Sequence, residues 1–206
     1  MKGLILKDFI NLRKYVLLML GAAAIYAVLA FVNEDMSFLT AFLVIFSAML
    51  PITSFAYDDM AKWDAYALSA PVSRRDVVLS KYIFAFLCLL IGAVVALLFV
   101  LFTSSLQGIA GDEQWVVVYT TFVLGIAYIA ILLPLLFKFG AEKGRYMGIA
   151  VLFGPFLIFM LLKNAGMPMP SDKEFFTLLS WAPLAAAALY VLSFFVSKAI
   201  YRKKEI

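Results

Sequence analysis

The stretch Asp58–Tyr82 reads DDMAKWDAYALSAPVSRRDVVLSKY. It packs four acidic and four basic residues, one Trp, two Tyr and one Pro between flanks that are almost uncharged. What those flanks are follows from composition. The chain has 206 residues, 66% of them hydrophobic, with 20 Phe and only 15% charged residues, and its mean hydropathy is +1.02. A soluble domain is about half apolar, so the excess points to lipid as the main solvent and the polar island to a connection between two membrane spans. The length suits one membrane domain.

Composition also removes several chemistries. There is no histidine, so the commonest general base and transition-metal ligand are missing. The single cysteine, Cys88, lies in an apolar run and cannot form an intrachain disulfide or a Cys-x-x-Cys site. The N-terminus is basic and then apolar, like a signal peptide. No small-x-small cleavage site follows, and a further apolar run comes at once, so it reads as a retained first span.

A membrane helix needs about 20 mostly apolar residues. Six runs meet this, over about 15–32, 38–57, 82–106, 115–137, 146–162 and 175–199. Of the Lys and Arg residues, 15 fall in the N-terminal segment, the island, the segment around Lys138–Arg145 and the tail side, and only Lys163 and Lys173 fall in the alternate connections. The positive-inside rule places the first set, and with it both termini and the island, in the cytoplasm. The net charge of +4 therefore expresses membrane topology rather than a nucleic-acid partner. The pairs Lys14-Tyr15, Lys81-Tyr82, Arg145-Tyr146 and Tyr201-Arg202 sit at span ends, where tyrosine suits the headgroup level and a long basic side chain snorkels. The opposite loops are too short for a domain, and Met167–Pro170 reads as a stiff turn.

No span carries Asp, Glu, Lys or Arg at mid-depth. A charge there costs about 2.5–3.5 kcal/mol or more and is usually kept for ion or proton handling. Its absence argues against an ion-driven transporter. The interior polar groups are hydroxyls: Thr40, Ser47, Thr53 and Ser54 in the second span, and Thr103, Ser104 and Ser105 late in the third. They either bond their own backbone and neighbouring helices or border a substrate path. Pro51, Pro134, Pro155 and Pro183 are candidate kinks. Gly140, Gly144 and Gly148 repeat the spacing that lets helices approach closely, or form a glycine-rich turn. The phrase Gly140–Arg145 imitates a phosphate loop, but its spacing is wrong and no Lys-Ser/Thr follows.

Within the island, Met60, Trp63 and Ala67 have helical spacing. This predicts a short amphipathic helix over about 59–68 at the inner surface, ended by Pro71. Ser73 and Asp76 form a capping-box pattern that starts a helix over Arg74–Lys81 running into the third span. The cluster Asp58, Asp59 and Asp64 could hold Mg²⁺ for chemistry on lipid headgroups, although neighbouring Lys62, Arg74 and Arg75 favour charge pairing.

The island pattern from Lys62-Trp63-Asp64-x-Tyr66-x-Leu68 through Pro71 and Arg74 to Lys81-Tyr82 resembles small permease subunits of the type 2 ABC-transporter superfamily, especially those of bacterial phenol-soluble modulin exporters. The opening Leu6-Lys-Asp-Phe and Arg13-Lys14 is similar to their amphipathic elbow helix, over about 2–14. Ala70 departs from that pattern, which has a larger apolar residue there. The resemblance implies an all-α, six-span permease forming a single domain in the bacterial plasma membrane. The segment 58–81 would be its coupling element, docking on a separate ABC ATPase through Asp59, Lys62, Trp63, Asp64, Tyr66, Leu68, Arg74 and Arg75. ATP and Mg²⁺ would bind that partner, with no cofactor on this chain, and a second permease copy, identical or paralogous, would complete a dimer. The implied activity is export of an amphipathic peptide, lipid-like molecule or drug. A membrane anchor or assembly subunit and a lipid-headgroup enzyme remain alternatives. Reporters fused at the C-terminus and near Ser69 are expected to be cytoplasmic, and one near Asp112 external; labelling of Ser69 from outside would overturn the topology.

Overall fold

The computed structural model describes residues 3–13, 15, 21, 24, 37–63, 66, 72–107, 112–165 and 172–204. Nearly all of the expected first span, together with Asp64, Ala67, Leu68, Pro71 and the Met167–Pro170 turn, lies outside the described residues. The regular structure among those described is helical: α1 (3–13), α2 (Ser37–Met60), α3 (Arg74–Gln107), α4 (Asp112–Asn164) and α5 (Asp172–Lys203). Helices α2 to α5 are each long and apolar enough to cross a membrane.

Length shows what each helix does. At 1.5 Å per residue, the 24 residues of α2 reach about 36 Å, close to a hydrocarbon core of about 30 Å. The 34 residues of α3 reach about 51 Å, so its first turns extend beyond the apolar layer as a continuous arm. Helix α4, at 53 residues, is too long for one crossing and is broken at Gly140, with φ 76° and ψ 178°. Only glycine takes that conformation without steric cost. The two arms then lie against each other, Gly144 packing on Leu136 and Gly148 on Leu132 and Tyr128. Residue numbers rise along one arm as they fall along the other, so the arms are antiparallel. The glycine spacing thus serves both readings at once: Gly140 makes the turn, and Gly144 and Gly148 admit the neighbouring arm. The four prolines stay within helices, and the non-helical backbone of α4 is at Gly140 rather than at Pro134 or Pro155.

Helix α2 packs on α3 and α4, and α5 on α3 and α4. Phe55 of α2 meets Phe137 of α4 edge-on at 4.9 Å, and Gly92 of α3 sits directly against the Ser47 side chain. Ser47, Ser104 and Thr121 donate to the carbonyl oxygens of Leu43, Leu101 and Val117 in their own helices. That is how an apolar layer satisfies a hydroxyl.

The basic–tyrosine pairs divide. Tyr146 is 72% exposed, as a headgroup anchor requires, but Tyr82 and Tyr201 are buried. The expectation that Lys81-Tyr82 anchors the chain in lipid is therefore corrected. Tyr82 lies between α3 and α5, its Oη 2.6 Å from Ser193 Oγ and 2.7 Å from Ser197 Oγ. Ser193 Oγ donates to the Ala130 carbonyl of α4, so Tyr82 donates to Ser193 and accepts from Ser197. Tyr190 Oη donates to the Tyr82 carbonyl at 2.7 Å.

Lys81 is buried as well, because four charges meet there. Its Nζ lies 2.6 Å from Asp58 Oδ2 and 3.0 Å from Asp8 Oδ1, and donates to Ser54 Oγ at 2.6 Å. Lys7 Nζ lies 2.5 Å from Asp58 Oδ1 and 3.4 Å from Asp8 Oδ1. Two lysines balance two aspartates across α1, α2 and α3, which is the condition under which charges tolerate burial. Leu12 and Phe9 of α1 continue the contact, Phe9 meeting Phe84 edge-on at 5.1 Å. Removing one member strands the others, so Lys81→Met is expected to destabilise the protein by about 3–5 kcal/mol. Arg75→Met, at an exposed position, should change stability by no more than about 0.5 kcal/mol. Unfolding in detergent micelles checks both, and equal effects would show that the four-charge cluster does not hold the fold.

Candidate functional site

The island begins where α2 ends. Helical structure stops at Met60; the Lys62 amide donates back to the Asp59 carbonyl at 3.2 Å, and Lys62 itself has φ 48°. Trp63 and Tyr66 are helical beyond this turn, and their rings stack obliquely at 5.3 Å, as residues three apart on one helical face do. The expectation that Met60 shares that face is corrected. The left-handed residue at Lys62 re-aims the chain, leaving Met60 82% exposed on the end of α2 and Trp63 turned back toward the core. The cause is local, since a backbone reversal interrupts helical spacing that remains intact in the sequence.

Trp63 is held from a direction that the island alone does not disclose. Lys7 of α1 places its ammonium 4.0 Å from the centre of the indole ring while pairing with Asp58. A desolvated cation over a ring face contributes about 0.5–2 kcal/mol. Tyr66 is 66% exposed, and Lys62 and Arg75 are exposed too. Of the anticipated docking residues, Lys62, Tyr66 and Arg75 thus face outward, and Trp63 lies against Tyr66 and the core.

Asp59 and Arg74 have other duties in addition. Asp59 Oδ2 accepts the Ala141 amide N–H at 2.6 Å, capping the second arm of α4 from a different helix. Arg74 Nη1 donates to the carbonyl oxygens of Tyr201, Arg202 and Lys204 at 3.3, 2.7 and 3.3 Å. These are last-turn carbonyls of α5 and its exit, which lack partners within a helix. The capping box is present as read: Asp76 N donates to Ser73 Oγ at 3.1 Å, Ser73 Oγ to Asp76 Oδ2 at 2.7 Å, and Ser73 N to the same oxygen at 3.4 Å.

The metal reading fares differently. Asp58 faces Lys7 and Lys81 while Asp59 faces the Ala141 amide, so adjacent carboxylates diverge. Among the described residues there is no group of three acidic, His or Cys side chains able to hold an ion. Asp58 pairs with Lys7 and Lys81 rather than with the nearer Lys62, Arg74 or Arg75. One sequence signal could have found them: Asp8 lies four residues before Leu12 on the face of α1 that packs inward. An acidic residue on an apolar face asks for a buried cation.

Of the hydroxyl row, Thr40, Ser47 and Ser54 are fully buried within the chain, Ser47 against Gly92 and Ser54 under Lys81. Thr53 is half-buried.

The geometry gathers at one end of the helices the island, the Gly140 turn, α1 and the exit of α5, the same segments that carry most of the Lys and Arg. Comparison with curated proteins and with solved structures found no match. The family model described as ABC-2 family transporter protein matches residues 3–202, from the first turn of α1 to the last of α5. The chain belongs to the ABC-2 transporter family, as a multi-pass membrane permease subunit whose partner is an ABC ATPase.

Proposed function

We propose that the chain is the permease of an ATP-driven exporter, with residues 58–81 as the element that docks on the ATPase. The observation that carries this reading is the posture of Trp63 and Tyr66. The aromatic pair projects from a reversal at Lys62 on a base fixed by Lys7, Asp58 and Lys81, with Tyr66 facing outward. Aromatic residues on a stiff support are typical anchors of protein interfaces. The alternative of a headgroup enzyme loses support with the divergence of Asp58 and Asp59.

In this reading the chain crosses the membrane six times: once over the apolar run 15–32, once each with α2, α3 and α5, and twice with the arms of α4. Both termini and the gathered basic end face the cytoplasm. Two copies, or this chain and a paralogue, enclose the cargo path. The α5 face bearing Leu184, Leu192 and Phe195 and the second α4 arm bearing Phe153 and Phe156 are exposed and apolar, which suits an amphipathic or lipid-like cargo. Thr53, the hydroxyl of the row that is not fully buried, is the candidate to border that path, while Thr40, Ser47 and Ser54 support helix packing.

The test is purification of the chain with its ATPase, identified by mass spectrometry, and reconstitution of both in liposomes. The double variant Trp63→Ala, Tyr66→Ala is expected to weaken docking by about 2 kcal/mol or more, roughly thirtyfold, and to abolish cargo-stimulated ATP hydrolysis while membrane insertion persists. Normal copurification and normal stimulation would reduce the island to a charged connection.

A further inference from the structure

A groove of about 340 Å³ opens between α3 and α5, edged by Leu79, Ile83 and Phe86 on one side and by Val191, Phe194 and Phe195 on the other. On each helix these positions fall three or four apart, so the groove runs along the helix axes. From Leu79 to Phe86 it extends about 11 Å. We propose that this groove holds one acyl chain of an anionic phospholipid, whose phosphate is met by Arg75, Lys198 and Arg202 at the basic end of the helices. The lipid comes from the leaflet at that end, the cytoplasmic one in the topology proposed above. Of the α5 residues assigned to the cargo face, Phe195 borders this groove, whereas Leu184 and Leu192 do not.

The lining decides what the groove takes. Tyr82 and Tyr190 also border it, and their hydroxyls are already engaged. Tyr82 Oη bonds Ser193 and Ser197, and Tyr190 Oη donates to the Tyr82 carbonyl. The side chains therefore offer the groove only hydrocarbon and ring surface. A polar ligand would lose its hydration there and gain no partner, whereas an acyl chain has no hydrogen bond to lose. The floor is also preformed. Tyr82 meets Tyr190 edge-on at 5.2 Å and Phe194 edge-on at 5.4 Å, so little has to be ordered when a ligand binds. Phe86, Val191 and Phe195 at the rim are exposed, which leaves the groove open to surrounding lipid.

The headgroup is assigned by what continues each edge. Arg75 lies four residues before Leu79 on α3, Lys198 lies three after Phe195 on α5, and Arg202 lies four after Lys198. Each step prolongs an edge by about one turn toward the basic end. The Arg74 side chain reaches the Tyr201 and Arg202 carbonyls, which brings the two edges together there. Arg75, Lys198 and Arg202 are exposed, and among the described residues none of them forms a salt bridge. Asp76, beside Arg75, directs its carboxylate to Ser73. Basic side chains over a cleft between membrane helices are suited to anionic headgroups. The same cations disfavour a second copy of this chain as the occupant. A two-fold axis along the membrane normal would set both groups of cations at one height, facing each other.

Native mass spectrometry of the full-length chain in detergent reads the site, with dioleoyl phosphatidylglycerol and dioleoyl phosphatidylcholine titrated separately. One phosphatidylglycerol is expected to bind about tenfold more tightly than one phosphatidylcholine, and Lys198→Gln, Arg202→Gln should abolish that preference, at about fivefold per cation. Val191→Trp fills the groove from an exposed position and should weaken both lipids about tenfold, through the loss of contact with about two methylenes. Equal binding of the two lipids to the unsubstituted chain would overturn the inference. So would a preference that survives loss of both cations, or a Val191→Trp variant that binds normally. In membranes, a benzophenone amino acid at position 191 should give lipid adducts; adducts between two permease chains would show instead that a second copy covers the groove. None of these readouts depends on the ATPase or on membrane orientation, so the docking reading stands or falls separately.

Discussion

Everything at the basic end of this protein hangs on two adjacent carboxylates at the end of α2. Asp58 is buried and reaches Lys7 of α1 and Lys81 of α3. Asp59 points the other way and caps the second arm of α4. Neighbouring residues near the end of a helix project about 100° apart, since 3.6 residues make a turn. Two successive aspartates can therefore hold elements on two sides of one helix. Four segments converge on a two-residue joint, and a fifth is tied in where Arg74, at the start of α3, closes the carbonyl end of α5.

The chemistry of the joint explains why it is ionic. An apolar contact at this place would be non-directional and would permit sliding. Two cations and two anions are cross-paired, each lysine with both aspartates, and Lys81 also donates to Ser54. Burying charge brings little net stability compared with a well-packed apolar cluster, but losing one partner is costly. The arrangement thus favours definition of geometry over strength. Among the described residues Asp8 Oδ2 is buried with no hydrogen-bond partner, while Asp8 Oδ1 meets both lysines.

How much of this could be read from sequence depends on the range of the interaction. Features set by neighbours in the chain were legible: the continuous helix from Arg74 into the third span, the Ser73–Asp76 cap and the apolar lengths of α2, α3 and α5. The glycine triplet was legible as a spacing, while its division into one turn residue and two packing residues needed the opposite arm. Most of what failed depended on partners far along the chain. Lys81 and Tyr82 look like a lipid anchor in isolation, because nothing near them reveals Asp8, 73 residues away, or Ser193 and Ser197 on the last helix. The helical spacing of Met60 and Trp63 misled because periodicity cannot register one residue at φ 48°. The residues expected to dock read as a group, whereas Asp59 and Arg74 bond within the chain.

A lever must not bend at its own joints. A displacement applied to Trp63 and Tyr66 could be absorbed in a loop if the connections around them were free to rotate. Instead Trp63 lies under Lys7, Lys7 is paired to Asp58, Asp58 to Lys81, and Lys81 belongs to the same continuous helix as the membrane-crossing part of α3. On the other side, Asp59 grips Ala141 at a turn whose single glycine leaves no spare residue to take up slack. In the proposed reading, a push on the aromatic pair would reach α1 through Lys7, α3 through Asp58 and Lys81, and the second arm of α4 through Asp59. The apolar faces deeper in the membrane are held mainly by non-directional packing, which permits small sliding motions between helices. If the island docks on the ATPase as proposed, rigidity at the polar end and tolerance in the apolar layer are the mechanical pairing that would turn a local docking event into movement of whole helices.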